Sequence, residues 1–82
     1  MSRVEQIRDV LNTYASLRVE VATVGVDDSL YALGMTSHAS VRVMLGLEDA
    51  FDVEIPDRFL VKTTFDSVRS IDEMLAEISA PV

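Results

Sequence analysis

The chain contains no cysteine. Neither a disulfide framework nor a thiolate metal site can hold its fold, and any thiol its chemistry requires must be imported. Basic side chains are scarce, with 7 Lys and Arg against 14 Asp and Glu and a formal charge of −7. That balance argues against binding the phosphates of nucleic acid or an anionic membrane surface, and favours partners with basic surfaces. Long apolar runs are missing too. The stretch "VMLGL" (43–47) is far shorter than a membrane span, and "MSRVEQIRDV" (1–10) is charged where a secretory signal would be apolar. A soluble, cytoplasmic monomer is expected. Only one histidine is present, His38, so a two-histidine metal site is excluded. The acidic run "EDAFDVEIPD" (48–57) lacks the alternating ligands and central glycine of a calcium loop. No metal ligand is expected.

What is present is helical periodicity. Eighty-two residues make one small domain over 1–82, long enough for a single modest core. Val4, Ile7, Leu11, Tyr14 and Leu17 recur every three or four residues and predict a helix over about 3–17, with Ser2 and Glu5 spaced as a capping box. Residues 18–36 lose the period. They are rich in β-branched residues, are interrupted by Gly25, and carry the polar turn "DDSL", which predicts a long loop whose "DDSLYAL" turn sends Leu30 and Leu33 into the core. Val43, Met44, Leu47 and Phe51 predict the inner face of a second helix over about 37–52. Pro56 ends it and starts a short helix over 57–61. Val68, Ile71, Met74, Leu75 and Ile78 then predict a last helix over 66–78, capped by Thr64 or a polar neighbour. No segment reads as a strand, so the fold class expected is all-α, a small bundle of three main helices plus one short helix.

The stretch "LGMTSHASVRV" (33–43) raises a question of chemistry. Thr36 and Ser37 sit where the free N–H groups at the start of the second helix need acceptors, and a hydroxyl there is worth about 1 kcal/mol as a cap. The same place favours a phosphate, because the helix dipole and the free N–H groups attract negative charge. A nucleophilic serine is disfavoured: Met35 and Ala39 stand where a nucleophile elbow needs glycines, and His38, the neighbour in sequence, points away on a helix. Capping and phosphate readings both remain open on these residues alone.

Four ordered blocks resemble the acyl and peptidyl carrier proteins. "GMTSH" stands in the place of that family's G-x-D-S-L motif, preceded by "DDSLYALGMTS" like its D-x-x-L-x-x-LG approach. "LEDAFDVEIPD" matches its L-E-x-x-F-x-x-x-I-P-D run, and "TTFDSVRSI" is similar to the lead-in of its final helix. The resemblance spans nearly the whole chain. It implies that Ser37 carries 4′-phosphopantetheine, installed from coenzyme A by a phosphopantetheinyl transferase. It implies a thioester loaded by an acyl- or amino-acid-activating ligase and handed to downstream acyl-transferring enzymes. Such a chain is a carrier rather than an enzyme, and its cargo is either an acyl or an aminoacyl group.

The sequence also departs from that pattern. Thr36 replaces the aspartate before the serine and His38 the leucine after it, both places a transferase contacts. These departures motivate the alternative of a non-carrying helical interaction module with the carrier fold. On the helical wheel His38, Arg42, Leu45, Asp49 and Asp52 share the outer face, so the first two turns lack the acids of general fatty-acid carriers. Arg42 would repel a basic docking patch, which implies a dedicated partner set. The expected partner-binding residues are Thr36, His38, Arg42, Leu45, Glu48, Asp49 and Asp57, with Leu45 as the apolar anchor. Gly46 weakens its helix and implies a close approach, by the first loop in preference to a partner. Of Phe59 and Leu60, one is expected to pack inward and the other to flank the arm.

Overall fold

Ser2 starts the first helix as its spacing from Glu5 predicts. Its hydroxyl accepts the Glu5 N–H at 3.1 Å, while the Glu5 carboxylate accepts from that hydroxyl instead of reaching back to a backbone N–H. In the computed structural model, which describes residues 2–79, helix α1 covers Arg3–Tyr14, α2 covers Ser37–Phe51 and α3 covers Val68–Ser79. Short 3₁₀ turns occupy Val21–Thr23, Asp57–Phe59 and Lys62–Phe65, and no strand occurs among the described residues.

Each helix boundary that differs from expectation has a local cause. Helix α1 stops at Tyr14 rather than 17 because Ser16 turns left-handed (φ 54°) and the Arg18 N–H goes to the Leu33 carbonyl across the loop at 2.9 Å. Asp52 is the left-handed cap of α2 (φ 52°), a conformation that a short polar side chain tolerates. The helix expected over 57–61 is a single 3₁₀ turn ending at Phe59, where the Leu60 N–H closes on Asp57. Helix α3 starts at Val68, not 66. Its cap is the Ser67 hydroxyl, which accepts the Ser70 N–H at 3.1 Å. Thr64 is buried, and its carbonyl accepts the Ser70 hydroxyl.

The core takes Ile7 and Leu11 from α1, Val43 and Leu47 from α2, and Ile71 and Leu75 from α3. Burying each such side chain contributes about 2 kcal/mol. Leu30, from the loop, is fully buried among them, whereas Leu33 is half-buried. Around Leu30 the loop is stitched to the approach of α3. The Leu30 N–H reaches the Asp66 carbonyl at 2.6 Å, the Arg69 N–H reaches the Val26 carbonyl at 2.9 Å, and the Ser29 hydroxyl meets the Asp66 carboxylate at 2.6 Å. At the loop's other end the Arg8 guanidinium donates to the carbonyls of Val21 and Val24 at 3.0 and 2.6 Å. Asp27 and Arg69 close the seam with an exposed ion pair.

Gly46 does mark a close approach, but α1 makes it and not the loop. A Cβ at Gly46 would stand 2.6 Å from the Tyr14 ring and 3.0 Å from a Val10 methyl. Gly46→Ala gains about 1 kcal/mol of helix propensity and loses about 1–3 kcal/mol to overpacking. Urea denaturation is expected to show a net loss of about 1 kcal/mol, largely recovered when Tyr14→Leu is added.

The hydrogen bond from Arg69, with its charge behind it, holds the Asp27 carboxyl below its ordinary value of 3.8. A carboxyl depressed in the folded state stabilises above its unfolded value, and that contribution disappears as pH falls through the folded value. The stability gap between the parent and Asp27→Asn is therefore expected to be full above about pH 4 and to close below it in a series of urea melts.

Candidate functional site

At the start of α2 the two hydroxyls take different positions. Thr36 is extended (ψ 165°) and its hydroxyl accepts the Ala39 N–H at 3.0 Å, so Thr36 is the cap. Ser37 is the first helical residue, is exposed, and its hydroxyl takes no part in the capping. Its carbonyl accepts the Ser40 hydroxyl at 2.7 Å. The approach to this pair is fixed from beneath. Met35 is buried, its N–H bonds to the Leu30 carbonyl at 3.0 Å, and Gly34 turns the chain at φ 114° against the Arg18 side chain.

Ser37 stands on the wall of a cleft of about 360 Å³ between α2 and the segment running from Leu60 to Phe65. Ser40, Val41 and Met44 continue its α2 wall, Leu60, Val61, Lys62 and Phe65 form the other, and Tyr31 closes one end. Val41 (52% exposed), Leu60 (43%) and Val61 (50%) are apolar side chains left open to solvent on both sides of the serine. Lys62, the only lysine in the chain, holds its ammonium 4.9 Å from the centre of the Tyr31 ring. Of the pair Phe59 and Leu60, Phe59 packs against the core and Leu60 flanks the cleft. Met44 serves both core and cleft.

The remaining expected site residues divide into two sets. His38, Arg42, Leu45 and Asp49 are exposed along one face of α2, and Arg42, Leu45 and Asp49 share a shallow groove with Tyr14 and Gly46. Leu45, 55% exposed, is the most open large apolar side chain of the described residues. Glu48 does not belong with them: it is half-buried, and its carboxylate accepts the Ile55 N–H at 2.8 Å, so it anchors the turn after α2. Thr36 is exposed, and its hydroxyl is taken up by the cap. Asp57 is exposed but lies on the 3₁₀ turn, away from α2 in sequence. Sequence reasoning overlooked Tyr31, Val41, Val61 and Lys62. Val41 was accessible to it, since it lies four residues, one helical turn, after Ser37.

A phosphate ester on an exposed hydroxyl fits this place. The hydroxyl is free of capping, sits at the positive end of a helix, and opens beside a cleft with apolar walls and one cation. The family model described as "phosphopantetheine attachment site" matches residues 5–78. The chain belongs to this family of carrier proteins. An "aminoacyl carrier protein" from Agrobacterium fabrum is 42% identical over 67 residues, 82% of this chain and 81% of that protein. Among solved structures, the chain resembles one in the complex of engineered Bradyrhizobium japonicum glycine:[carrier protein] ligase with carrier protein from Agrobacterium tumefaciens and ATP. The TM-score is 0.89 at 39% identity, covering 92% of this chain and 97% of that one. The corresponding complex with AMP gives 0.85 at 39% identity, covering 88% and 96%. The prosthetic group of the family is phosphopantetheine, and the all-helical carrier fold is that of these neighbours.

The division between Thr36 and Ser37 has a measurable effect on stability. Thr36→Ala is expected to lower unfolding free energy by about 1 kcal/mol, and Ser37→Ala to change it by less than about 0.5 kcal/mol, in parallel denaturant titrations.

Proposed function

We propose that the Ser37 Oγ is the attachment point of 4′-phosphopantetheine and that this carrier holds an amino acid on it. The observation that supports the attachment is the exposed, non-capping hydroxyl of Ser37 at the first position of α2, on the wall of the cleft. The amino acid cargo is supported by the 42% identity to an aminoacyl carrier protein. When bound, the group supplies the thiol that the cysteine-free chain lacks, and the cargo is held there as a thioester.

The chain's own residues prepare the site and do no bond-making of their own. Thr36 holds the Ala39 N–H, so the helix start keeps its geometry whether or not Ser37 is esterified. The free N–H groups of the first turn face the oxygen that takes on negative charge. Leu30 and Met35, both buried, hold the preceding loop against the core, so that a transferase meets Ser37 on a fixed scaffold. Flanked by Thr36 and His38, the serine presents a transferase with a contact surface unlike that of general acyl carriers.

A ligase of the amino-acid-activating class is the loading partner, and its docking face is the stripe of His38, Arg42, Leu45 and Asp49. Leu45 offers the apolar anchor, while Arg42 and Asp49, one on each side of it, call for an acid and a base on the partner. A partner with a uniformly basic patch meets Arg42 with like charge. Enzymes that take the cargo onward read the same stripe, because it is an exposed, charged surface next to Ser37 on α2.

Intact mass after incubation with coenzyme A and a broad-specificity phosphopantetheinyl transferase is expected to rise by about 340 Da, and to stay unchanged for Ser37→Ala. A second incubation with ATP and an amino-acid:carrier-protein ligase is expected to add one aminoacyl mass, while an acyl:carrier-protein ligase with a fatty acid adds none. An unmodified parent across several transferases overturns the attachment reading and favours the non-carrying interaction module. Loading by the fatty-acid enzyme alone overturns the cargo reading.

A further inference from the structure

Lys62 is the one cationic side chain on the cleft that contains Ser37. In a chain with 14 acids it forms no ion pair among the described residues, whereas Arg3, Arg58 and Arg69 each do. Its ammonium rests instead over the face of Tyr31, on the end wall of the same cleft. At an exposed position such a contact holds a cation weakly. A phosphodiester is a stronger partner, offering charge and hydrogen-bond acceptors together. The cleft therefore contains an attachment oxygen, an ammonium without a counter-ion, and apolar walls left open at Val41 and Leu60.

We propose that Lys62 is a positioning residue for the prosthetic arm: its ammonium leaves the Tyr31 ring and pairs with the phosphodiester formed on Ser37 Oγ, seating the arm's first segment in the cleft. The inference rests on the Ser37 reading. The occupant of the cleft is the arm because the arm is tethered to a residue of its wall, carries the charge that complements Lys62, and has methyl and methylene groups for Val41, Met44 and Leu60. Tyr31 then acts as a parking place that keeps the lysine extended across the cleft before attachment. Lys62 touches no reacting atom. Its effect is on where the arm lies, and through that on how far the cargo swings from α2.

The single lysine makes the test direct, because its Cε–Hε signal is alone in a carbon-resolved NMR spectrum and disappears in Lys62→Met. Before modification the Hε protons are expected upfield, under the ring current of Tyr31, and Tyr31→Leu should abolish that shift. After modification, verified by the gain of about 340 Da, the Hε signal of the parent should move downfield towards its position in Tyr31→Leu. The phosphorus signal of the modified protein should differ between the parent and Lys62→Met and be largely restored in Lys62→Arg. An Hε signal that stays in place after the mass gain, with the same phosphorus signal in the parent and Lys62→Met, overturns the proposal while leaving the Ser37 reading intact. Absence of the mass gain removes the Ser37 reading and this inference with it.

Discussion

The burial of Leu30 is the constraint on which the start of α2 depends. A long irregular segment between two helices carries many backbone groups and few ways to satisfy them, and among the described residues no strand pairs with it. Leu30 enters the core completely, and its own amide and carbonyl then become fixed points. The amide bonds to Asp66 ahead of α3, and the carbonyl receives the amide of Met35, one residue before the cap. A side chain in the core thus sets the position of a hydroxyl on the surface, through two hydrogen bonds and a buried methionine.

At that surface, two neighbouring hydroxyls with similar chemistry perform separate tasks. Thr36 is extended and turned back towards the helix, which aims its oxygen at the Ala39 N–H. Ser37 already has helical geometry, so its side chain leaves the axis and cannot serve the first turn in the same way. The helix is therefore stabilised by an atom that a modification of Ser37 does not alter. The resemblance to carrier proteins replaces aspartate by threonine at this cap, and the geometry explains why the exchange is tolerated: either residue supplies the oxygen that the Ala39 N–H requires.

Much of the bundle was legible because its helices have clear apolar stripes. Val43, Leu47, Val68, Ile71, Met74 and Leu75 are buried as their spacing predicts. The errors occur where the deciding partner is distant in sequence. Nothing near Leu17 announces that the Arg18 amide will bond to Leu33 and end the helix. Glu48 looks like a surface acid on a helical wheel, yet the chain's return at Ile55 makes its carboxylate an internal acceptor. Ser37 stands out by its motif, whereas the wall of Leu60, Val61 and Lys62 has none, because a segment that links one 3₁₀ turn to the next has no periodicity to read. Gly46 announced a close approach, but the intruder is an aromatic ring on α1 and not the first loop.

That ring makes the two sides of α2 unlike. On one side of α2 the Tyr14 ring lies against a residue with no side chain, so at that point α1 and α2 cannot come closer. On the other side α2 faces Leu60, Val61, Lys62 and Phe65 across an open cleft. A group laid beside α2 therefore meets a filled contact at Gly46 and open space on the cleft side. Ser37 stands on the cleft side, so a group attached to its hydroxyl would meet that open space first.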